Sequence, residues 1–306
     1  MRVSWESAMS DTLAEQPEPS ESSPLPRASV AAARAFVDEV RAGLQSRALA
    51  PYLGPGVTAI QASAVPSSNE KLAEFLGSKL ALPRRVRGNM WASAQYIESQ
   101  RHRATLKLWL EEAFRTPLEP NLLHRRLARY GLPLIVDTWY DSGMRRALAD
   151  QTGWVEVQGI SRAAIAEQRW VRVYGSDGQE LPPSAADSAA TLLYKPIGSI
   201  EPASNFIISD ADYVEVLTEI DIQSPIPEVV QQRRASLGFV FLGCRFNEQT
   251  LRTYARQVSK RSKGPNYCIV DPEQPPTRSE QRFFKELNMK LLCYPWSEFF
   301  ALLADA

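Results

Sequence analysis

The stretch LGFVFLGCRFNEQTLRTYARQVSKRSKGPNYCIVDPEQPPTRSEQRFFKELNMKLLCYP, residues 237–295, repeats one grammar three times: an apolar run, polar turn residues, then a helical pattern. Phe239–Leu242 precedes a helix near 247–260, Tyr267–Val270 one near 278–287, and Leu291–Tyr294 one near 296–304. The runs are apolar at consecutive positions, so both faces of each strand must be covered, which is the condition of a parallel strand between layers of helices. Strand–helix alternation of this kind predicts an α/β fold: a doubly wound, Rossmann-like parallel sheet with helices on both faces. Ligands of such sheets sit beyond the carboxyl ends of the strands, where the strand order reverses, so the loops that follow the strands are the places to look for function.

Upstream, Leu49-Ala-Pro-Tyr-Leu53 is a short apolar run that stops at Gly54-Pro55-Gly56, a strand entering a tight turn. Helical spacing follows at about 69–80, 89–100, 103–115 and 121–130. A second run, Leu132–Val136, ends at Asp137-Thr138-Trp139-Tyr140-Asp141 and leads into another helical pattern. Between Trp154 and Glu180 residues alternate apolar and polar, with Asp177-Gly178 at a turn, which predicts a small β-hairpin inserted over 151–190. At the amino end, Ser29 stands where a helix cap belongs, before Ala33, Phe36, Val37, Val40 and Leu44 at helical spacing. Residues 1–28 hold four Pro, six Ser and five acidic residues against two Arg, a mixture with too little apolar surface to offset the entropy of ordering. We read 1–28 as a disordered acidic tail and 29–306 as one folded domain.

Composition excludes several classes of function. Thirty-five Lys plus Arg balance thirty-five Asp plus Glu in 306 residues, so no overall positive field concentrates nucleic acid or anionic membrane. The apolar runs are far shorter than the roughly 18–20 residues of a spanning helix, and the polar, acidic start lacks a secretory apolar segment, so a cytoplasmic protein is expected. Cys244, Cys268 and Cys293 lie singly in apolar stretches and read as small hydrophobic filler. His102 and His124, 22 residues apart without cysteine partners, read as surface or packing residues, and no metal site is predicted.

Four loops carry candidate chemistry. Gly54 and Gly56 straddle one residue after a strand, a spacing that lets a diphosphate approach the backbone where a Cβ would clash and leaves N–H groups for an anion, although Pro55 removes one donor. The second loop is Thr138–Asp141, the third Tyr194-Lys-Pro-Ile-Gly-Ser199, and the fourth Phe241-Leu-Gly-Cys-Arg-Phe-Asn-Glu248. Each alone reads more readily as structure: Trp139 and Tyr140 as core aromatics, Gly198 as a turn, Gly243 as close packing of strand on helix.

Taken in order, the set resembles the sirtuin-like NAD-binding domain. A GxGxS/T turn, a T-x-Y-D turn about 80 residues on, a K-x-x-G-S segment about 55 further, an S-D-x-D-Y helix start and an F-L-G-x-x-F-x-D/E strand exit run over roughly residues 48–303. The likeness is to the short prokaryotic branch, whose members include NAD-hydrolysing antiviral effectors. The resemblance implies NAD, or an ADP-ribose derivative, as cofactor. It assigns Gly54, Gly56 and Thr58 to the diphosphate turn, and Thr138, Tyr140 and Asp141 to the T-N-Y-D turn. Lys195, Gly198 and Ser199 match the K-x-H-G-S segment, and Gly243 and Glu248 match the exit that lines the adenosine ribose, with Arg245 in place of a Ser. Two positions depart from the family at the chemistry itself: Trp139 stands where the family has an Asn, and Ile197 where it has its catalytic His. Cleavage of the nicotinamide–ribose bond needs a group that can take a proton or bond the ribose hydroxyls, which Ile197 cannot, and loss of such help costs about 10²- to 10⁴-fold in rate. Asp137 and Asp141 are the carboxylates within reach in sequence that could substitute as base.

The zinc module with two C-x-x-C pairs of the family's protein deacylases has no counterpart among three single cysteines, so a protein deacylase is not expected. Residues 84–129 carry ten Lys plus Arg against four Glu, either a solvated helical face or a docking face for an acidic protein partner or for the acidic tail. The run from Asp212 to Pro227 reads as a helix followed by a Pro-limited turn. Two functional readings follow: a nucleotide-responsive binding or regulatory protein with a degraded catalytic site, and an active, NAD-depleting glycohydrolase that uses other residues. Homo-oligomerisation is left open.

Overall fold

A computed structural model describes residues 25–161, 170–214 and 226–305. The apolar runs are the strands of one nine-stranded sheet. In chain order these are β1 (Leu49–Leu53), β2 (Leu134–Asp137), β3 (Trp154–Gly159), β4 (Val171–Tyr174), β5 (Glu180–Leu181), β6 (Thr191–Lys195), β9 (Gly238–Leu242), β10 (Asn266–Val270) and β11 (Met289–Cys293). A two-stranded ribbon, β7 (Gly198–Ser199) with β8 (Asn205–Phe206), lies apart from it. The sheet order is β11-β10-β9-β1-β2-β6-β3-β4-β5, parallel from β11 through to β3, so the predicted doubly wound sheet is present. The order reverses at β1, which pairs with β2 on one side and β9 on the other.

β1 holds a proline in a central strand, a position that normally lacks a ladder bond. The Leu53 carbonyl accepts from the Thr138 amide on the β2 side, so Pro51, two residues earlier, faces β2 as well. The β1–β2 pairing begins only at Tyr52↔Val136, whereas the β1–β9 pairing runs from Leu49↔Gly238 to Leu53↔Leu242. The missing N–H thus interrupts only the β1–β2 ladder and leaves the β1–β9 ladder unbroken.

Alternate residues of the strands feed two cores. Leu49, Leu53, Val240, Leu242 and Ile269 face α1 (Val30–Gln45), α4 (Leu122–Arg129), α5 (Gly143–Ala147) and α10 (Trp296–Ala304). Ala50, Tyr52, Phe239, Phe241 and Cys268 face α6 (Ala185–Ser188), α7 (Glu228–Arg234), α8 (Gln249–Ser259) and α9 (Arg278–Glu286). A third core lies under α2 (Asn69–Lys79) and α3 (Met90–Ala113), which cover Trp139, Tyr140, Ile197 and Phe206. Ser29 caps α1 as predicted, its hydroxyl accepting from the Ala32 amide. Just before it, the Ala28 amide donates to the Cys293 carbonyl and Arg27 pairs with Glu298, so the chain meets the fold at the carboxyl end of β11.

Two local expectations are refined. The helices read at 89–100 and 103–115 are both present within α3, parted by non-helical backbone at His102 with φ 69°. The hairpin read as an insertion is present, with β3 and β4 antiparallel, but it is no separate lobe. β3 pairs in parallel with β6 over Trp154↔Thr191 to Gln158↔Lys195, so the hairpin extends the main sheet. The period-two alternation could not reveal this, because a strand of a hairpin and a strand of the sheet carry the same pattern. The run after Asp212 lies largely outside the described residues, which resume at Ile226. No described helix is long and apolar enough to cross a membrane.

Candidate functional site

At the carboxyl ends of β1, β2, β9 and β10, where the strand order reverses, the surface opens into a cleft of about 490 Å³, within the usual range of small-molecule sites. Gly54, Pro55 and Gly56 line it from β1, Thr138 from β2, Gly243 to Asn247 from β9, and Asp271 and Gln274 from β10. Ser67 to Lys71 at the start of α2, and Trp296 and Ser297 at the start of α10, complete it.

The glycines are there so that two loops can interlock. Gly243 has φ +64°, and a Cβ on it would stand 2.5 Å from the Val57 nitrogen. A Cβ on Gly54 would meet the Gly243 carbonyl oxygen at 2.4 Å, and one on Gly56 would enter the Trp296 ring. The interlock uses the amides that were expected to hold an anion: Gly54 N donates to the Leu242 carbonyl and Gly56 N to the Gly243 carbonyl, both at 2.9 Å, and Val57 N to the Gly54 carbonyl at 3.1 Å. With Pro55 lacking a donor, these positions of the turn are already satisfied from within the chain.

Of the predicted site residues, Gly54, Gly56, Thr138, Gly243 and Arg245 line the cleft. Thr58, Tyr140, Asp141, Lys195, Gly198, Ser199 and Glu248 do not. Most of these form a buried polar network beneath it. The Lys195 ammonium, fully buried, donates to Asp137 Oδ2 at 2.7 Å and to the Asp141 carbonyl at 2.8 Å. Asp141 accepts from the Thr58 hydroxyl at 2.5 Å and from the Gly143 amide at 2.8 Å. The Ser199 hydroxyl donates to the Tyr140 carbonyl, and the Tyr140 hydroxyl to the Ile207 carbonyl. Burial pushes the Asp137 carboxyl up to about 6 against the opposing pull of Lys195. Gly198, at φ +85°, turns the β7–β8 ribbon, where a Cβ would strike the Asn205 carbonyl.

Trp139 and Ile197 stand in the third core and not on the cleft. Trp139 is 1% exposed, its indole N–H donates to the Pro66 carbonyl at 2.8 Å, and its ring contacts Phe114 and Tyr140. Ile197 is buried in the same cluster. Arg245 lies on the cleft wall with its charge engaged by both carboxylate oxygens of Glu280 and its Nη1 donating to Gln274. Glu248, beside the start of α8, is raised to about 7 by burial and by the charges of Glu70 and Asp210. His124 is buried at the start of α4, where its Nδ1 accepts from the Asn121 amide. Burial holds its pKa down at about 4. Cys244 lines the cleft, and its thiol donates to the Tyr52 and Leu242 carbonyls.

Sequence reading missed the far wall: Ser67, Ser68, Asn69 and Lys71 from α2, Asp271 and Gln274 from the loop after β10, and Trp296. The signal for α2 was present as Ser68 before a helical pattern, a cap whose hydroxyl accepts from Lys71 N. What that cap faces depends on a contact across the chain.

A doubly wound sheet with a cleft at its reversal point places the chain in the class of α/β proteins that hold ligands beyond the carboxyl ends of their strands. A family model for the SIR2-like domain matches residues 133–292, from the entry of β2 to the end of β11, and the chain belongs to that family. The match leaves out the Gly54–Thr58 turn, whose part in the cleft rests on the geometry. No curated protein matches the chain.

The cleft has an apolar and a polar side. An apolar wall of Ala59, Ile60, Leu251 and Trp296 stands beside polar groups at the strand ends, the mixed lining usual for small-molecule sites. The positions that carry catalysis in the resemblance are filled by buried hydrophobic side chains.

Proposed function

We propose that the chain is a sirtuin-like protein that binds NAD or an ADP-ribose derivative in the cleft between β1 and β9, has a degraded catalytic site, and works as a nucleotide-responsive regulatory or binding protein. The observation that carries this reading is the position of the cleft, at the strand-order reversal of a SIR2-like fold and lined by the two glycine loops. The competing reading, an active glycohydrolase with Asp137 or Asp141 as the substitute base, requires that one of these two carboxylates reach substrate. Asp137 is held by Lys195 and the Trp139 amide, and Asp141 by Thr58 and Gly143, both beneath the cleft. That engagement supports the degraded reading.

The test is incubation of the purified protein with NAD and, separately, ADP-ribose, following nicotinamide release and unfolding in parallel. Ligand at 100 times its dissociation constant adds roughly 2.7 kcal/mol of stability. The expected result is a saturable rise in melting temperature without release of nicotinamide. No shift with either ligand at millimolar concentration overturns the binding reading, and catalytic release of nicotinamide overturns the degraded one.

A further inference from the structure

The turn that resembles a diphosphate cradle has spent its amides on the β1–β9 interlock, so a phosphorylated ligand must be held elsewhere in the cleft. We infer that its phosphate bridge sits at the amino end of α2, on Asn69 and Lys71, in place of the glycine turn; this rests on the nucleotide-binding reading above. α2 is 11 residues long, with Ser67 to Lys71 on the cleft wall. Ser68 satisfies the Lys71 amide with its hydroxyl and the Leu72 amide with its carbonyl, and the Asn69 and Glu70 amides keep no partner among the described residues. Such amides and the aligned helix dipole favour an anion.

The side chains point the same way. Asn69 is 7% exposed, lines the cleft, and its amide group has no hydrogen-bond partner among the described residues. An amide held on the cleft wall with neither donor nor acceptor engaged by the chain is free to bond a ligand oxygen. The two cations on the cleft differ: Arg245 is engaged by the Glu280 carboxylate, whereas the Lys71 ammonium meets only the Ser67 hydroxyl, at 3.0 Å, and no carboxylate among the described residues. Lys71 is therefore the cleft charge available to a phosphate. Glu70, exposed on the same wall, opposes it.

The test measures the affinity of ADP-ribose, with adenosine as the phosphate-free control, for the full chain and for Asn69→Asp, Lys71→Gln and Glu70→Gln. Asn69→Asp places an acid in the first turn of a helix, where it favours folding, so an unchanged melting temperature separates lost binding from lost structure. We expect Asn69→Asp and Lys71→Gln each to weaken ADP-ribose by about tenfold or more, with adenosine affinity within about twofold, and Glu70→Gln to tighten ADP-ribose. If the parent chain binds ADP-ribose and both weakening variants bind it within twofold of the parent, or lose adenosine equally, the placement is wrong while the nucleotide-binding reading stands. If the parent binds neither ADP-ribose nor NAD, the reading itself fails and the placement falls with it.

Discussion

Replacing Lys195 by Met tests whether the K-x-x-G-S segment serves the ligand or the scaffold. The ammonium is fully buried and bonds Asp137 Oδ2 and the Asp141 carbonyl, so the variant strands a buried carboxylate that keeps one hydrogen bond from the Trp139 amide. Removing one partner of a buried ion pair typically costs about 3–5 kcal/mol. The cost must depend on pH. The folded pKa of Asp137 is already raised from 3.8 to about 6, so its contribution to stability is fully present below the unfolded value and is lost as pH rises through the folded one. Without Lys195 the carboxyl rises further, and at acid pH it is protonated and tolerates burial. Urea unfolding should therefore show a loss of about 3–5 kcal/mol at pH 8 and only about 1–2 kcal/mol at pH 5, where the lost bond to the Asp141 carbonyl remains. Adding Asp137→Asn should restore part of the loss at pH 8, because the stranded charge is gone. A loss below about 1 kcal/mol at pH 8, or the same loss at both pH values, would refute the buried-network reasoning. So would a variant of parental stability that no longer binds ADP-ribose, since Lys195 would then be reaching the ligand.

Three further outcomes follow from the same geometry. Gly243→Ala forces a Cβ against the Val57 nitrogen in left-handed backbone, so chemical denaturation should show at least about 2 kcal/mol lost together with the nucleotide-induced melting shift; a neutral effect would mean the interlock is loose. Trp139→Asn empties a site in the third core and should cost about 3–5 kcal/mol in urea unfolding. Combined with Ile197→His it should still release no nicotinamide, and release by a folded double variant would show that these positions face the reacting bond. His124→Gln keeps the acceptor of the capping box and removes a titration. Since burial lowers His124 from 6.5 to about 4, its contribution is present above 6.5 and lost as pH falls toward 4, so this variant should flatten the fall in stability over that interval. An unchanged slope would assign the fall to other groups.

The strands of the sheet were legible because burial on both faces writes itself locally: Phe239–Leu242 and Tyr267–Val270 have no polar side chain to turn outward, and each is followed by a helix-spaced pattern. The cap at Ser29 and the break between the helices at His102 were legible for the same reason, since they depend on a few neighbouring residues. The family likeness was also legible, because an ordered series of short turns survives where single motifs do not.

Function was decided between residues far apart in the chain. Gly54 and Gly243 are 189 residues apart, and only their contact shows that the turn's amides are occupied. Lys195 and Asp137 look like loop residues after two strands, yet their side chains meet beneath the cleft and satisfy each other. The 151–190 hairpin looked separable until β3 paired with β6. Sequence patterns report which side of its own element a residue faces, through the periods of helix and strand. They carry no information on what stands opposite, and it is the opposite wall, α2 with Asn69 and Lys71, that the tertiary fold alone brings to the site.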